Sequence, residues 1–501
     1  MQLLLGLDVG TSAVKCLAFN LRGEVVASAR SALQLSTPRA GWVEQDPEQI
    51  WTAVAEACRA VTSRVPRMHK IVALSLSAQG GTTIPLAPDG TPTHMAFSWM
   101  DERADTESAV VAATLGADAL YQTTGWPLSA GLPLNHIAWF RTHRESDFKR
   151  TQRFCFVNDF VTSRLCGAYG MDPSNASITQ LYNLAEGGWD AQLLDLAGVE
   201  PEQLSPLGES GQVTGQVTAW ASQQTGLPVG LPVVLGAHDQ YCAAVGTGTT
   251  QIGQALLSCG TAWVVLTIPH GRAGALQAGM SVSRHAIPGH FGGIVSLGGV
   301  GAIVDWLISL LWPHVTGQAA RYQALNQAVL AAPPGSHGVL FRPHPRGRAV
   351  GNETLDLSFG SVALRHTRGD LSRAMMEGVA FELRRMLSEL DEAADVTAFK
   401  MIGGGSRSQI WPHIVADITG RPIELVSISE SASLGAAVLA GVGAGLFTTC
   451  QAGAASLASR SQPVRPDPNL AEVYDGQYAR YCEASGPDAC AAADAAGGDG
   501  R

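Results

Sequence analysis

Two short turns that combine glycine with hydroxyl side chains are the parts of this sequence best suited to chemistry. Asp8 leads into the first turn, Gly10-Thr11-Ser12, and the second turn is Gly260-Thr261. Such a turn can direct backbone N–H groups and hydroxyls at phosphate oxygens, because glycine adds no obstructing side chain. Asp8 could then organise Mg²⁺ through water. One turn alone could equally be an ordinary tight turn, and it is the second turn that favours a phosphate site.

A carboxylate follows another predicted strand, the apolar run at 232–236. This strand delivers Ala237, His238, Asp239 and Gln240 at its carboxyl end. Asp239 could accept the proton of an attacking hydroxyl, since phosphoryl transfer needs positioning, charge neutralisation and a base near the nucleophile. Taken alone, Asp239 could also be a helix N-cap. Adjacent residues on an extended strand point to opposite faces, so we expect His238 to be structural and not a partner of Asp239.

A glycine loop at 403–406 stands between a predicted strand and a predicted helix. It offers a close backbone approach to a flat, bulky ligand such as a nucleoside, and a plain strand-to-helix turn is the alternative. The segment GGVGA at 298–302 misses the spacing of a dinucleotide-binding motif, so we predict a helix there. The sequence contains no G-x-x-x-x-G-K-[ST]. If ATP is used, the paired turns are the device that would hold its phosphates.

The elements that must position these residues form a repeated pattern. Residues 3–20 are predicted to form a hairpin with the first turn at its tip, followed by a third strand at 24–28. Residues 253–267 repeat the hairpin around the second turn. This duplication predicts two related α/β domains that divide near residue 248.

Further elements are predicted from capping and periodicity. Asp46-Pro47 is typical of a helix start, and the helix that follows has one apolar stripe to pack on the first sheet: Ile50, Val54, Cys58 and Val61. A buried strand at 71–77 then ends at Gln79, where an open α/β sheet presents its ligand groups. A long amphipathic helix at 371–390 and strands at 399–402 and 423–426 complete the prediction.

Composition and charge exclude several classes of protein. The chain has 501 residues, too many for one ordinary core, and 46% are hydrophobic, which is typical of a folded protein. A net charge of -10 without basic runs argues against binding to nucleic acid or to an anionic membrane. The nine cysteines lack C-x-x-C or metal-ligand spacing, which indicates reduced thiols. The N-terminus lacks the features of a signal peptide or membrane anchor, so we expect a cytoplasmic protein.

Six segments resemble one known family in their order and spacing: GLDVGTSAVKCLAFN, SLSAQGG, FSWMDERAD, LGAHDQYCAAVGTG, LSCGTAWVV and IGGGSRSQIWPHIVADITGRPIELVSISESASLGAAVLA. The resemblance is to the FGGY family of carbohydrate kinases. It implies an α/β fold of two actin-like (ribonuclease H-like) domains with a catalytic cleft between them. Residues 1–247 would carry the sugar site and the catalytic base, and 248–455 the adenosine site. Residues 456–501 would be a C-terminal extension with a flexible tail from about 485.

The resemblance also implies a role for individual residues, with ATP and Mg²⁺ as cofactors. Asp239 would be the catalytic base. Asp8 would lie near the transferred phosphate and would contact Mg²⁺ through water. The phosphate chain would contact Thr11, Ser12, Gly260 and Thr261. The adenosine loop maps to Gly404, Gly405 and Ser408, and some members carry an amide side chain in place of the serine. Sugar contacts map to Gln79, Gly80, Asp101, Arg103 and Gln240.

The substrate is less well specified by the resemblance. Xylulokinases usually place Met-His after the glutamine that matches Gln79, and glycerol kinases place Arg-Glu, whereas this chain has Gly80-Gly81. The two glycines could admit a larger or differently configured substrate, or let another loop fill the space. We rank D-xylulose or a related pentulose first among the candidate substrates, which would place the protein in xylulose metabolism. Glycerol, ribulose, a tetrulose and other polyols or ketoses stay open as alternative substrates.

Two interpretations of a different class also stay open. An actin-fold ATPase or nucleotide-dependent interaction protein would show the same paired turns without needing a sugar, but it would not need Asp239. A kinase-derived binding protein without turnover is the other, and the presence of Asp8, Asp239 and both turns argues against it. For partners, the sequence predicts a small sugar or polyol, no nucleic acid and no membrane, and it leaves a homodimer open.

Overall fold

The computed structural model describes residues 1–344, 357–426, 430–457 and 461–485. The tail predicted to be flexible lies, beyond Ser485, outside the described residues. The strands are β1 (Gln2–Val9), β2 (Ala13–Asn20), β3 (Val25–Ala32), β4 (Glu44–Gln45), β5 (Lys70–Ala78), β6 (Thr83–Leu86), β7 (Ala96–Phe97), β8 (Arg153–Phe156), β9 (Tyr182–Asn183), β10 (Gly188–Trp189), β11 (Val213–Gln216), β12 (Pro232–His238), β13 (Gln254–Cys259), β14 (Trp263–Thr267), β15 (Ser281–Arg284), β16 (Phe291–Ser296), β17 (Leu340–Arg342), β18 (Ser358–Gly360), β19 (Ala398–Gly403), β20 (Ile423–Val426) and β21 (Ser461–Val464).

Helices alternate with these strands along much of the chain. They are α1 (Pro47–Arg64), α2 (Asp105–Thr114), α3 (Ala117–Thr124), α4 (Pro133–His143), α5 (Glu145–Arg150), α6 (Val157–Cys166), α7 (Pro173–Ser177), α8 (Ala191–Ala197), α9 (Ala219–Thr225), α10 (Asp239–Thr247), α11 (Arg272–Gln277), α12 (Val300–Leu311), α13 (Gln318–Ala331), α14 (Arg368–Ala394), α15 (Trp411–Thr419), α16 (Ser431–Gly443), α17 (Cys450–Leu457) and α18 (Ala471–Ser485). Short 3-10 helices lie at Pro201–Gln203, Ser336–Gly338, Gly405–Arg407 and Pro468–Leu470.

The chain forms two compact units, and neither is continuous in sequence. The first unit contains Met1–Thr250, Gly271–Gly293 and Glu430–Ser459. The second contains Gln251–His270, Ile294–Ser429 and Arg460–Arg501. The chain therefore leaves the first unit and returns to it twice.

The first unit is built on a six-stranded sheet in the order β11-β12-β5-β1-β2-β3. The predicted hairpin is confirmed as β1 and β2, and the third strand, β3, is longer than predicted. Strand β5 runs parallel to both β1 and β12, so these three strands end at one edge of the sheet. At that edge Ala78 lies in register with Val9 on one side and with His238 on the other. The segments that follow these strands carry most of the predicted sugar and catalytic residues.

The second unit repeats the central part of this arrangement. Strands β13 and β14 form an antiparallel hairpin, and β19 pairs in parallel with β13. Strand β20 continues the sheet in parallel, and β21 adds an antiparallel edge. Cys259 at the end of β13 lies in register with Gly403 at the end of β19. The predicted strands of this unit, the long helix α14 and the helix α12 are thereby confirmed.

Two helices show how the first sheet is covered. The predicted stripe of α1 is buried, with Ile50, Val54, Cys58 and Val61 each no more than 2% exposed. Each such aliphatic side chain contributes about 1.5–3 kcal/mol when it leaves water. Helix α16 packs against β1 so closely that a Cβ atom on Gly6 would lie 1.7 Å from the Ser433 carbonyl oxygen. Glycine at this position is therefore a requirement of the close helix-to-strand contact.

Within the described ranges, no helix combines the length and the apolar character needed to cross a bilayer. Seven cysteines of the described chain are free thiols, namely Cys16, Cys58, Cys155, Cys166, Cys242, Cys259 and Cys450. Cys482 is disulfide-bonded, so the expectation of reduced thiols is wrong at that position.

Candidate active site

The first glycine turn is joined to the predicted sugar segment by a ring of hydrogen bonds, which we call the Thr11 network. Trp99 Nε1 donates to Thr11 Oγ1 (3.0 Å), and Thr11 Oγ1 donates to Gln79 Oε1 (2.8 Å). Gln79 Nε2 donates to Gln45 Oε1 (2.8 Å), and Gln45 Nε2 donates to the Thr11 carbonyl oxygen (2.9 Å). Ser12, next to Thr11, is exposed at the tip of the turn. A predicted phosphate contact and a predicted sugar contact are thus hydrogen-bonded to each other.

Asp8 lies near the end of β1, two residues before the turn. Ser77 Oγ donates to Asp8 Oδ1 (2.8 Å), and Lys15 Nζ lies 4.0 Å from Asp8 Oδ2 and 2.7 Å from Glu430 Oε2. Burial first, and the negative charge of Asp239 second, raise the pKa of Asp8 to about 6, while Ser77 and Lys15 act in the opposite direction. The charged form of Asp8 would therefore be favoured by a bound cation, which would offset its repulsion from Asp239.

Asp239 is the first residue of α10 and directly follows β12. Its side chain is 34% exposed, which leaves the carboxylate accessible to a ligand. His238, and not Asp239, is the N-cap residue of α10. His238 Nε2 lies 3.3 Å from Asp239 Oδ1, so the expectation that the two side chains point apart is wrong. The strand period does not apply here, because β12 ends at His238 and the helix begins with the next residue.

The predicted sugar residues near this carboxylate differ in what they can offer. Gln240 Oε1 is buried and has no hydrogen-bond partner in the part of the chain that the structure describes, which suits an acceptor for a ligand hydroxyl. Gly80 and Gly81 do not open a free space. A Cβ atom on Gly80 would lie 2.6 Å from His238 Cδ2, and one on Gly81 would lie 3.1 Å from Trp99 Cβ. The glycine pair could have left room for a larger substrate or let another part of the chain fill the space. In the structure, the space is filled by neighbouring side chains.

Asp101 and Arg103, both predicted to contact the sugar, form a buried ion pair, and their role toward a sugar stays a prediction. Their side chains are fully buried and paired with each other, and Arg103 Nη2 also lies 2.8 Å from Glu44 Oε1. The Arg103 guanidinium stacks 3.8 Å from the Trp42 ring centroid, and Asp101 Oδ2 accepts from Val43 N (2.6 Å). This ion pair therefore fixes the segment around residue 43. In the W-x-D-x-R pattern, the exposed member is Trp99, which is 47% exposed.

The second unit contains a cavity of about 550 Å³, and the five predicted nucleotide residues of this unit line it. These are Gly260, Thr261, Gly404, Gly405 and Ser408. Trp263 and Trp411 contribute aromatic surface, with ring centroids 4.7 Å apart. Glycines, indole rings and a few polar side chains together suit a flat heterocycle with a polar tail.

The N-terminus of α12 lies against the second glycine turn. Gly301 N donates to the Thr261 carbonyl oxygen (2.8 Å), and a Cβ atom on Gly301 would lie 2.9 Å from Thr261 Cα. Helix N-termini carry partial positive charge and unpaired N–H groups, so they favour anions. This end of the cavity is therefore suited to phosphate.

Comparison with known proteins bears on both units. Residues 3–246 match the N-terminal domain of the FGGY family of carbohydrate kinases, and residues 255–444 match its C-terminal domain. The chain belongs to the FGGY family of carbohydrate kinases. The resemblance found in the sequence is thereby confirmed, and so is the α/β fold class with two actin-like domains.

Relatives of this FGGY kinase differ in the sugars that their names give. The chain is 26% identical over 484 residues to the xylulose kinase of Staphylococcus epidermidis, covering 96% of each chain. It is 27% identical to the gluconokinase of Bacillus subtilis, covering 89% of this chain and 87% of the relative. The crystal structure of xylulose kinase from Rhodospirillum rubrum has a TM-score of 0.86 and 27% identity, covering 96% and 98%. Carbohydrate kinase activity is supported, with ATP as the family's phosphate donor.

The donor set of the FGGY kinase fits Mg²⁺ that arrives with the nucleotide. Across the described residues, there is no group of three or more His, Cys, Asp or Glu side chains that could hold a metal ion. Mg²⁺ is commonly held by one or two carboxylates together with substrate phosphates and water. Asp8 would fit that role, because its carboxylate is largely buried and is affected by the negative charge of Asp239.

Several residues that line the cavity of the second unit were not predicted from the sequence of this kinase. Asp305, Tyr322 and Asn326 line the cavity, and Tyr322 Oη donates to Asp305 Oδ1 (3.0 Å). Gln318, Tyr322 and Asn326 share one face of α13 through their spacing of four residues, but such spacing does not distinguish a ligand face from a packing face. Gln45 gave no signal, because its role depends on a hydrogen bond to a residue 34 positions away.

Proposed function

We propose that this protein transfers the γ-phosphoryl group of MgATP to a hydroxyl of a small, neutral ketose or polyol, with D-xylulose or a related pentulose as the first candidate. The observation that carries the proposal is the Asp239 carboxylate, which is partly exposed at the carboxyl end of β12 and whose negative charge acts on the largely buried Asp8. An acid with a purely structural role does not need to be accessible to solvent near a second carboxylate. A catalytic base must be accessible to its substrate, and a carboxylate that binds a cation must be accessible to that cation.

The proposed reaction is an in-line phosphoryl transfer. The Asp239 carboxylate orients the acceptor hydroxyl and takes its proton as the hydroxyl oxygen bonds to the γ-phosphorus. The bond from that phosphorus to the bridging oxygen breaks at the same time, and ADP leaves. Asp8 would hold Mg²⁺ through water, and the bound cation would supply positive charge to the phosphates. Lys15, 4.0 Å from Asp8, adds a further positive charge on the first unit.

The nucleotide would bind to the second unit. Its adenine and ribose would occupy the 550 Å³ cavity, with Trp263 and Trp411 among the lining groups. The phosphates would extend toward Gly260-Thr261 and the N-terminus of α12, where backbone N–H groups and the helix dipole favour negative charge. Ser408 would border the nucleoside from the start of α15.

Charge favours a neutral sugar over a sugar acid. The predicted sugar set contains one cation, Arg103, and its guanidinium is buried against Asp101 and Glu44. The accessible members near Asp239 are the amide of Gln240 and the indole of Trp99. A carboxylate substrate such as an aldonate would meet Asp8 and Asp239 without a free guanidinium in this set to offset the repulsion. We therefore place neutral pentuloses and polyols ahead of gluconate.

The test is ADP release from MgATP by the purified protein with a panel of ketoses, aldoses, polyols, glycerol and gluconate. Sugar-dependent release, strongest with a neutral ketose or polyol, is expected. Phosphorus and carbon NMR of the product would identify the phosphorylated hydroxyl. Release without any sugar would instead favour an actin-fold ATPase, and preferred use of gluconate would contradict the charge argument.

Asp239→Asn is the critical variant in that assay. It keeps the shape of the side chain but removes the base, so turnover should fall by about 10²–10⁴-fold with little change in nucleotide affinity. Asp195→Asn makes the same chemical change at an exposed position of α8 and serves as the matched control. Full activity of Asp239→Asn would refute the assignment of the base. Cytoplasmic location and a homodimer stay predictions.

A further inference from the structure

Gly80 and His238 occupy one space at the edge of the first sheet. A Cβ atom on Gly80 would lie 2.6 Å from His238 Cδ2 and 2.9 Å from His238 Nε2. Cβ atoms in proteins do not approach ring atoms this closely, because both distances are well inside van der Waals contact. The imidazole ring thus fills the volume that any side chain at position 80 would take.

The backbone of His238 is held firmly in this position. His238 is in register with Ala78 on the neighbouring strand β5, and its side chain is 9% exposed. His238 N donates to Ser174 Oγ (2.9 Å), and Ser174 Oγ donates in turn to Asp172 Oδ1 (2.5 Å). The ring also packs beside Tyr241, with centroids 5.8 Å apart. The imidazole is therefore fixed by main-chain bonding and by packing.

The two ring nitrogens of His238 differ in their polar contacts. His238 Nε2 lies 3.3 Å from Asp239 Oδ1, while Nδ1 is buried without a hydrogen-bond partner among the described residues. A carboxylate oxygen can only accept, so an Nε2–H group is what can face it favourably. The one polar contact of the ring is thus directed at the proposed base.

We propose that His238 is a positioning residue that orients the Asp239 carboxylate, and that Gly80 is required because it leaves room for the imidazole. This inference rests on the proposed function and deepens it. The volume beside Gly80 is filled by a side chain from β12 and not by one that follows β5. The Gly80–His238 pair thus places an imidazole that also touches Asp239 where a side chain at position 80 would otherwise lie.

The first test compares His238→Ala with His238→Gln, whose amide Nε2 can occupy about the place of the imidazole Nε2. With the sugar that gives the highest wild-type turnover, His238→Ala should lower kcat by about 10–100-fold, since misplacing a reacting group by about 1 Å has an effect of this size. KM for MgATP should stay within about twofold, and His238→Gln should recover most of the lost kcat. A loss confined to KM for the sugar, or no recovery with glutamine, would overturn the positioning role.

The second test measures the steric pairing without using activity. Gly80→Ala should lower Tm by roughly 2–4 °C in the wild-type background, because its Cβ displaces the ring. In the His238→Ala background the same change should have little effect, because the two nearest atoms belong to the missing ring and the third, at 3.0 Å, is the flexible end of Ile178. Gly188→Ala is the matched control, since a Cβ atom there meets nothing within 4 Å.

The outcomes separate this inference from the proposed function. If the two substitutions lower Tm additively, the Gly80–His238 pairing is refuted, whatever the enzyme does. If the wild type shows no sugar-dependent turnover, the proposed function fails and the positioning role fails with it, while the pairing is still judged by Tm. If the wild type is active and His238→Ala is equally active, the positioning role alone is refuted.

Discussion

The two glycine turns stand on the same backbone arrangement but carry different side chains. Each lies at the tip of an antiparallel hairpin whose first strand has a parallel neighbour, β5 in one case and β19 in the other. The turn in the first unit connects Val9 to its partner Val14, and the turn in the second connects Cys259 to Trp263. The second turn is therefore shorter by one residue.

The two hairpins differ more in the charge of their side chains than in their backbone shape. Aligned at Val9 and Cys259, Asp8 corresponds to Ser258, and their cross-strand partners are Lys15 and Val264. The first turn is enclosed in the Thr11 network, whereas the second borders a cavity lined by Trp263 and Trp411. One backbone device can thus serve phosphate in both places, and the side chains beside it decide which unit would carry out the chemistry.

The largest expected effect comes from removing the charge that distinguishes the first hairpin. Asp8→Ser gives the first hairpin the residue type of the second, and it should lower kcat by about 10²–10³-fold, because an electrostatic contact to the reacting phosphate is lost. Steady-state kinetics with varied Mg²⁺ concentration measures it, with Asp195→Ser as control. Activity within about twofold of the wild type would show that the charge difference between the hairpins has no catalytic meaning.

Acid should destabilise the first unit through buried histidine. Burial lowers the pKa of His136 to about 4 from an ordinary value of 6.5. Between these values the unfolded chain binds a proton that the folded one does not, so stability is full above pH 6.5 and falls as the pH drops toward 4. His136→Gln should remove part of this slope, on the order of 3 kcal/mol at most.

Urea unfolding between pH 4 and 7, followed by tryptophan fluorescence, measures the slope for His136→Gln. His143→Gln is the matched control, because His143 lies on the same helix with its side chain 47% exposed. An unchanged slope in His136→Gln would contradict the assignment of acid sensitivity to this residue.

The reciprocal change in the second hairpin should have a smaller effect. Ser258→Asp introduces the carboxylate that the first hairpin has, and it should weaken nucleotide binding by about 10-fold through repulsion of the phosphates. Calorimetric titration with ADP and Mg²⁺ measures the affinity, with Ser258→Ala as control. The difference between the two variants should shrink in high salt if repulsion is its cause. Equal affinities at low salt would contradict a phosphate position at this turn.

The smallest effect is expected at Ser408, two residues before the N-cap residue of α15, Ile410. Ser408 Oγ accepts from Ile410 N (3.2 Å) and Trp411 N (3.3 Å), so Ser408→Ala should lower the free energy of unfolding by about 1 kcal/mol. Ser408→Asn should keep an acceptor for these N–H groups and add the amide that some family members carry. If both variants bind ADP as the wild type does, Ser408 contributes only to the helix start.

The sequence was informative wherever a local pattern determined the structure. The cap at Asp46, the stripe of α1 and both hairpins depend on residues close together in the chain, and the cavity of the second unit is lined by Gly260 and Ser408 as expected. The roles of these residues with ligands are still predictions. What the patterns gave reliably was the backbone that positions them.

The rest depends on contacts that a linear pattern does not contain. The sugar roles of Asp101 and Arg103 stay predictions, but the sequence gave no sign that Arg103 is also paired with Glu44, 59 positions away. The contact of His238 with Asp239 depends on the residue at which a strand gives way to a helix, which patterns locate poorly. The return of α16 to β1 depends on a glycine, Gly6, whose need is visible only once the two elements touch.

The discontinuous first unit has a consequence for synthesis on the ribosome. Its N-terminal portion, which ends at Thr250, is made well before Glu430, where the segment containing α16 begins. At 5–20 residues per second the delay over these roughly 180 residues is about 10–40 s. During that time the face of β1 around Gly6 lacks its covering helix, so nascent chains would expose an apolar surface to chaperones and to one another. Truncation before residue 430 would make that exposure permanent, and we expect such fragments to aggregate.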